Sequence, residues 1–168
     1  MRKKLYLVVG ASGTGKDYVV DKLCNELGMK KVISRTTRKP RYQGENTHQF
    51  ISNEQADKEY GHAIARTVFN GNRYYTLAED LYGADFYIID PKGVSSINDN
   101  ILEHFNYETV YIKVNWWTRF KNMKKRGDSL KNILKRLVND YKEFKGFKGQ
   151  QNFKCSNDFY NYIRKNNL

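Results

Sequence analysis

Cysteine is scarce in this chain: two among 168 residues, Cys24 and Cys155, far apart and without CxxC or Cys/His spacing. That excludes a disulfide framework and a cysteine zinc centre, and it suits free thiols in a reducing cytoplasm. Long apolar runs are missing too, and none approaches the roughly 20 residues of a bilayer-spanning helix. The start, MRKKLYLVVGASG, has charge followed by apolar residues, but its apolar run is only Leu5–Val9 before a glycine-rich turn. It therefore reads as a buried first strand rather than a leader. No internal repeat, low-complexity tract or linker is present. Histidine is rare, and His62 and His104 read as surface residues with no companions for a metal cluster. Acidic residues are also under-represented, 18 against 30 Lys and Arg, for a net charge of +12. The imbalance is local: residues 1–112 carry a net +1 and residues 113–168 a net +11. A basic third can hold nucleic acid, hold the phosphates of a small nucleotide, or form a solvated face, and charge alone does not choose.

What is present is a globular composition, 39% hydrophobic and 14% aromatic, in a length that suits one domain. Leu5–Val9 reads as a buried strand, and residues 17–27 as a helix stopped by Gly28. Lys31–Ser34 suits a short strand, and TTRKPRYQGENT a polar loop. His48–Ile51, Ala63–Phe69 and Arg73–Leu77 read as strands, the last two joined by an Asn70-Gly71 hairpin turn. SNEQADKEYG fits a short capped helix between them. Ala84–Asp90 and TVYIKV are buried strands; Pro91 ends the first, and a helix is expected to about His104. WWTRFKNMKKRG predicts a basic helix, with Trp116 and Trp117 packing as core and hinge residues. Leu130, Ile133, Leu134, Leu137, Val138 and Tyr141 mark one apolar face of the next helix. A strand at NFKCS and a helix over 157–165 close the chain. Alternating apolar strands and helices predict an α/β fold, a parallel sheet with helices on both faces. Residues 34–82 interrupt it as an antiparallel insertion at the carboxyl edge of the sheet, where ligands bind in such folds.

The chemistry is concentrated in GASGTGKD. Gly10, Ser12, Gly13, Thr14, Gly15 and Lys16 form a phosphate-binding loop between a strand and a helix. The glycines let backbone N–H groups turn around phosphate oxygens, the helix dipole adds positive potential, and Lys16 brings a point charge. Asp17 stands where a Ser or Thr hydroxyl would ligate Mg²⁺. A carboxylate is a hard oxygen ligand that also repels polyphosphate, so Asp17 predicts stronger metal dependence rather than loss of function. Its plainer role is to complement the helix N-terminus. Arg38 and Arg41, with Pro40 stiffening the segment, form a clamp for a dianionic phosphate.

From this point the chain resembles the guanylate kinase family. The carriers are the GxSGxGK loop, the SRTTRKPR element, the GNRYY hairpin, IIDPKGV, the KKRGDS…LKRL segment and CSND, in order over residues 5–160. The resemblance implies a single domain with a P-loop kinase core at about 1–33, 83–118 and 140–168. An acceptor-binding insertion at about 34–82 and a helical lid at about 119–139 complete it. It further implies ATP with Mg²⁺ as donor and a nucleoside monophosphate, GMP or dGMP first, as acceptor. Lys16, Arg38, Arg126 and Arg136 would be catalytic. Ser34, Arg38, Arg41, His48, Tyr75 and Asp90 would form the acceptor side, with Asn157 near the adenine. Nucleotides are then the partners, without membrane or nucleic acid, in a cytoplasmic monomer or homodimer.

The departures concentrate where the family reads guanine. His48 takes the place of a tyrosine, and Ala65 and Leu77 take the places of a Glu and a Ser. Neither Ala65 nor Leu77 can hydrogen-bond a base edge with its side chain; a shifted register would bring in Arg66 or Thr67 instead. Another deoxynucleoside monophosphate, or ribose 1,5-bisphosphate, is the alternative acceptor. An inactive interaction module of the same fold is the alternative of another class, opposed by the intact glycines and Lys16.

Overall fold

The computed structural model describes residues 4–40, 43–69, 71–97 and 104–167. In chain order the first elements are β1 (Lys4–Val9), α1 (Lys16–Leu27), β2 (Arg35–Thr36), β3 (Gln49–Phe50), α2 (Asn53–Glu59), β4 (Ala65–Phe69) and β5 (Asn72–Thr76). There follow β6 (Phe86–Ile88), α3 (Pro91–Ser96), β7 (Asn106–Ile112), α4 (Trp116–Lys125), α5 (Leu130–Glu143), β8 (Gln151–Phe153) and α6 (Ser156–Asn167).

β1 is apolar on both faces because it is covered on both. The sheet order is β6-β1-β7-β8, with every pair parallel. Tyr6 and Val8 point into one core with Val19, Val20 and Leu23 of α1 and Phe159 and Ile163 of α6. Leu5, Leu7 and Val9 point into the other, with Ile64, Leu81, Ile97 and Tyr111, and Phe144 and Phe147 packed against it. The strand period of two thus divides one strand between two layers. The carboxyl ends of β1, β6 and β7 open onto the loop before α1, the Asp90 cap of α3 and the Asn115 cap of α4. Among the described residues, no helix is long and apolar enough to cross a membrane, and Cys24 and Cys155 are free.

The insertion is a second sheet of order β3-β2-β5-β4. Its β2–β5 and β4–β5 pairs are antiparallel, whereas β2–β3 is parallel, so the sheet is mixed rather than antiparallel throughout. The strand expected at Lys31–Ser34 shrinks to a single bridge, Lys31 to Phe86. The short strand Arg35–Thr36 overlaps the segment that reads as a polar loop. It is held there by ion pairs of buried Arg35 to Glu59, Glu79 and Asp80 at 2.7–2.9 Å, contacts that hydrophobic periodicity cannot register. The helix expected toward His104 is seen only over Pro91–Ser96, residues 98–103 lying outside the described part.

Two apolar expectations are corrected. Trp116 and Trp117 are 63% and 50% exposed rather than packed in the core. The buried face of α4 belongs instead to Arg119 and Met123, one turn apart. In α5 the stripe of six apolar residues splits. Ile133 is buried and Leu137 half-buried, while Leu130, Leu134, Val138 and Tyr141 stand exposed. The residue sharing the inward face with Ile133 and Leu137 is Asp140, at i+7 from Ile133.

Candidate active site

The loop between β1 and α1 is closed by two bonds to one carbonyl: Thr14 N–H and Thr14 Oγ1 both donate to Ala11 O, at 3.3 and 3.0 Å. Glycine is required at Gly13, whose φ is +79°, and where a Cβ would stand 2.6 Å from the Arg119 carbonyl oxygen. Gly15 is left-handed as well, and its Cα faces Ser156 at the start of α6. Lys16 Nζ lies 3.2 Å from Asp17 Oδ2, and the Asp17 side chain is 70% exposed at the loop mouth. Crowding by the surrounding loop raises the carboxyl pKa, but the charge and hydrogen bond of Lys16 outweigh it and leave Asp17 below its ordinary value.

A cavity of about 250 Å³ opens beside the loop, lined by Gly10, Ser12 and Lys16 and by Asp90, Asp140 and Glu143. Burial, then the charge of Asp90, push the Glu143 carboxyl up. Asp90 also caps α3, accepting from Gly93 N–H at 2.5 Å. A larger hollow of about 390 Å³ runs along α1, lined by Tyr18, Asp21, Lys22, Asn25 and Glu26. It has neither the glycine loop nor Lys16, so the smaller cavity is the candidate site.

Ser12 is engaged from outside the loop. Its N–H donates to Asp140 Oδ2 at 3.0 Å and its hydroxyl to Oδ1 at 3.4 Å. Its carbonyl accepts from Arg119 Nε at 2.8 Å, and Arg119 Nη2 closes the triangle on Asp140. Asn122 Nδ2 donates to the next carbonyl, Gly13 O, at 2.8 Å. Arg126 caps the carboxyl end of α4, and Arg136 is exposed on α5. Arg126 grips Asp128 with Nη2 at 2.5 Å and Nε at 3.2 Å, and Arg136 adds to the lowered pKa of Asp128, whose main cause is the Arg126 hydrogen bond. Asn157 is exposed in the first turn of α6, beside the Ser156 that abuts Gly15.

The insertion carries a second basic centre. Arg38 Nη2 and Nη1 reach the two carboxylate oxygens of Glu45 at 2.8 and 3.2 Å, and Glu45 is 1% exposed at its side chain. The Arg38 guanidinium lies over the Phe50 ring at 5.1 Å, and its backbone N–H is anchored on Thr36 Oγ1 at 3.1 Å. Its buried Nε, like that of Arg35, has no hydrogen-bond partner among the described residues, and Arg38 Nη1 also donates to the Lys39 carbonyl at 2.8 Å. Arg41 lies outside the described residues.

Strand register decides what accompanies Arg38. Tyr74 is opposite Thr36 and Thr67, and Tyr75 is opposite Arg35 and Arg66. Facing residues share a side of the sheet, so the two tyrosines point to opposite sides. Tyr74 meets His48 edge-on at 5.5 Å, interacts with Arg38, and completes a wall with Ser34, whose Oγ is 2.9 Å from His48 Nδ1. Tyr75 is buried on the other side, donating to Glu59 Oε2 at 2.7 Å. The structure therefore sets Tyr74, not Tyr75, beside Arg38. Ala65 and Thr67 share Tyr74's face, whereas Arg66 is on the other, over the Tyr60 ring at 5.8 Å.

The opposite face is a structural ion-pair cluster with an acid signature. Gln55's hydrogen bond first, then Tyr75 and Arg35, outweigh desolvation and hold the Glu59 carboxyl near 2, from an ordinary 4.5. A depressed carboxyl contributes stability that is full above the unfolded pKa and lost as pH falls through the folded one. The melting-temperature advantage of wild type over Glu59→Gln should therefore be present at pH 7 and shrink between about pH 4.5 and 2. Thermal melts of both proteins at pH 7 and pH 3 test this; a constant gap refutes it.

Sequence reasoning missed Arg119, Asn122, Asp140, Glu45 and Tyr74. The one available signal was Asp140, an acid at i+7 from Ile133 on a helix otherwise read as apolar on that side. Among the described residues no cluster of three or more His, Cys, Asp or Glu is arranged to hold a metal.

Comparison with known proteins concerns the family and the fold. The family model described as guanylate kinase matches residues 2–159. A curated guanylate kinase from Malacoplasma penetrans (strain HF-2) is 29% identical over 121 residues, 65% of this chain and 61% of that protein. The match thus spans less than two thirds of that relative's length. The crystal structure of guanylate kinase from Anaplasma phagocytophilum superposes with a TM-score of 0.63 at 16% identity, covering 99% of this chain and 87% of the other. An uncharacterized protein from Eubacterium ventriosum superposes with a TM-score of 0.52 at 12% identity, covering 99% and 98%. At those identities the two structural likenesses concern the fold alone.

Proposed function

The chain belongs to the guanylate kinase family, and we propose that it transfers a phosphoryl group from ATP to a nucleoside monophosphate. The observation that carries this reading is the glycine loop with Lys16 at the cavity, in a chain that carries a separate basic centre at Arg38 on its insertion. Phosphoryl transfer requires positioning and neutralisation of charge more than covalent chemistry. The Lys16 ammonium takes the donor phosphates. Arg126 and Arg136, on a lid of α4 and α5, supply positive charge over the transferring group. Arg38 holds the acceptor phosphate, joined by Arg41 and by Tyr74 from its own side of the sheet. Asp90 borders the cavity with Lys16, between donor and acceptor, and Asn157 on α6 stands on the adenine side. Closing the lid excludes water, the competing acceptor.

Mg²⁺ suits the residues present. It keeps most of its waters and takes one or two carboxylates plus substrate phosphates, so a three-ligand protein cage is not needed. Asp17 provides one open carboxylate, kept ionised by Lys16. Bound with ATP, the metal would neutralise phosphate charge. Asp17→Ser is expected to retain activity within about tenfold and to change the Mg²⁺/Mn²⁺ preference, because a neutral hydroxyl replaces a charged ligand. Rates measured across both metals check this; unchanged preference leaves Asp17 with the helix-terminus role.

GMP or dGMP is the first acceptor, as the family's name suggests. Ala65 and Leu77 favour keeping a second reading, in which another deoxynucleoside monophosphate or ribose 1,5-bisphosphate is the acceptor and Ser34 with His48 supplies the polar contacts. The decisive experiment is ADP release from ATP·Mg across all ribo- and deoxy-nucleoside monophosphates, with the precursor of the ribose bisphosphate route included. One strongly stimulating acceptor is expected, and a flat response overturns the reading.

A further inference from the structure

An anion cavity lined by carboxylates needs an explanation. Asp140 borders the same hollow as Lys16 and sits against the loop meant for phosphate. Taken alone it would repel a polyphosphate and, being buried, would carry a large desolvation cost. Arg119 resolves both, since its guanidinium is buried against Asp140 and its Nε–H is on the Ser12 carbonyl at 2.8 Å. The two side chains together hold the N–H and C=O of one loop residue. They come from two different helices: Arg119 from the first turns of α4, Asp140 from the last turn of α5. Asn122 Nδ2 takes the next carbonyl, and the α4 backbone closes on Gly13 so tightly that no Cβ would fit.

We propose that Arg119 and Asp140 are a positioning pair that ties both stems of the helical lid to Ser12, shaping the loop for the donor phosphates and cancelling the charge that Asp140 brings to it. The inference rests on the reading of this loop as the ATP site. Ser12 thereby acts as a handle for the lid rather than as a phosphate ligand, because its N–H and hydroxyl are directed at Asp140. Thr14 N–H is also spent, on the Ala11 carbonyl, so the amides of Gly13, Gly15 and Lys16 are the ones left to face the ligand. A pair of this kind has a sign. Removing Arg119 leaves a bare carboxylate beside the phosphates. Removing the charge of Asp140 alone leaves a cation there, while the amide oxygen of an Asn still accepts from Ser12 N–H.

The test is a charge cycle on the full chain, Arg119→Met, Asp140→Asn and the double variant, read by calorimetric titration with ATP·Mg and by steady-state constants for both substrates. Arg119→Met is expected to weaken ATP·Mg by about tenfold or more while KM for the acceptor moves less than about twofold. Asp140→Asn is expected to stay within about threefold of wild type for ATP·Mg. The double variant should recover most of the loss seen in Arg119→Met, a non-additivity that simple loss of packing would not produce. Equal losses in the two single variants, additive in the double, overturn the proposal, as does a parallel rise in both substrate constants. Should Arg119→Met fail to fold by circular dichroism, the comparison of Asp140→Asn with the double variant still decides. Similar ATP·Mg affinity in these two, with the Asn variant near wild type, supports the pair, and a loss of tenfold or more in both overturns it. Wild type that binds no ATP·Mg refutes the donor reading itself; wild type that binds it, with unchanged affinity in folded Arg119→Met, refutes only the pair.

Discussion

Lys16→Met should lower kcat by about 1,000-fold, roughly 4 kcal/mol of transition-state stabilisation, with little change in melting temperature. Lys16 is the cation of the loop itself, and the cavity it borders also carries Asp90, Asp140 and Glu143, with Asp17 at its mouth. Methionine keeps the length and apolar character of the stem, so packing survives. The ammonium does not, and the carboxylates then face the donor phosphates with less compensation inside the cavity. The same substitution removes the main influence that lowers the Asp17 pKa, so Asp17 should move up. Initial rates with saturating ATP·Mg, alongside thermal melts, check the result. A kcat within tenfold of wild type would remove Lys16 from the transfer step.

Arg38→Met should act on two quantities at once. KM for the acceptor is expected to rise by about 100-fold, near 2.7 kcal/mol, with KM for ATP·Mg almost unchanged, because the guanidinium proposed to hold the acceptor phosphate vanishes. Stability should also fall, by about 3 kcal/mol, because Glu45 is buried and loses its two-pronged cation. Adding Glu45→Gln should restore much of the stability and none of the acceptor affinity. Arg38→Lys should fall between wild type and Arg38→Met, since an ammonium keeps charge but not the fork. A chemical denaturation series and acceptor saturation curves separate the two effects. Equal recovery of both by Glu45→Gln would show that Arg38 only supports the fold.

Much of this molecule was legible before any coordinates. β1, α1, β6 and β7 follow from apolar runs and breaks, because burial on both faces of a parallel sheet leaves a strong local signature. The glycine loop is equally local: its left-handed residues and its lysine lie within seven positions of one another, from Gly10 to Lys16. Arg38 was legible from its TTRKPR setting. The apolar stripe of α5 was legible as a pattern but misled as to burial. Periodicity records which residues share a face, and says nothing about whether another element covers it.

By itself, then, the sequence determined the layered core and the glycine loop with its lysine, since each depends on residues that are neighbours in the chain. Three features were decided only by tertiary structure. Tyr74 rather than Tyr75 stands beside Arg38, because a strand turns successive side chains to opposite faces and pairing with Thr36 and Arg35 sets which is which. Arg35 became a buried residue of a strand because three carboxylates converge on it, from α2 and from the turn at 78–81. Arg119 and Asp140 reach Ser12 across 107 and 128 positions of chain, and hydrogen bonds of that span leave no period or spacing in the sequence.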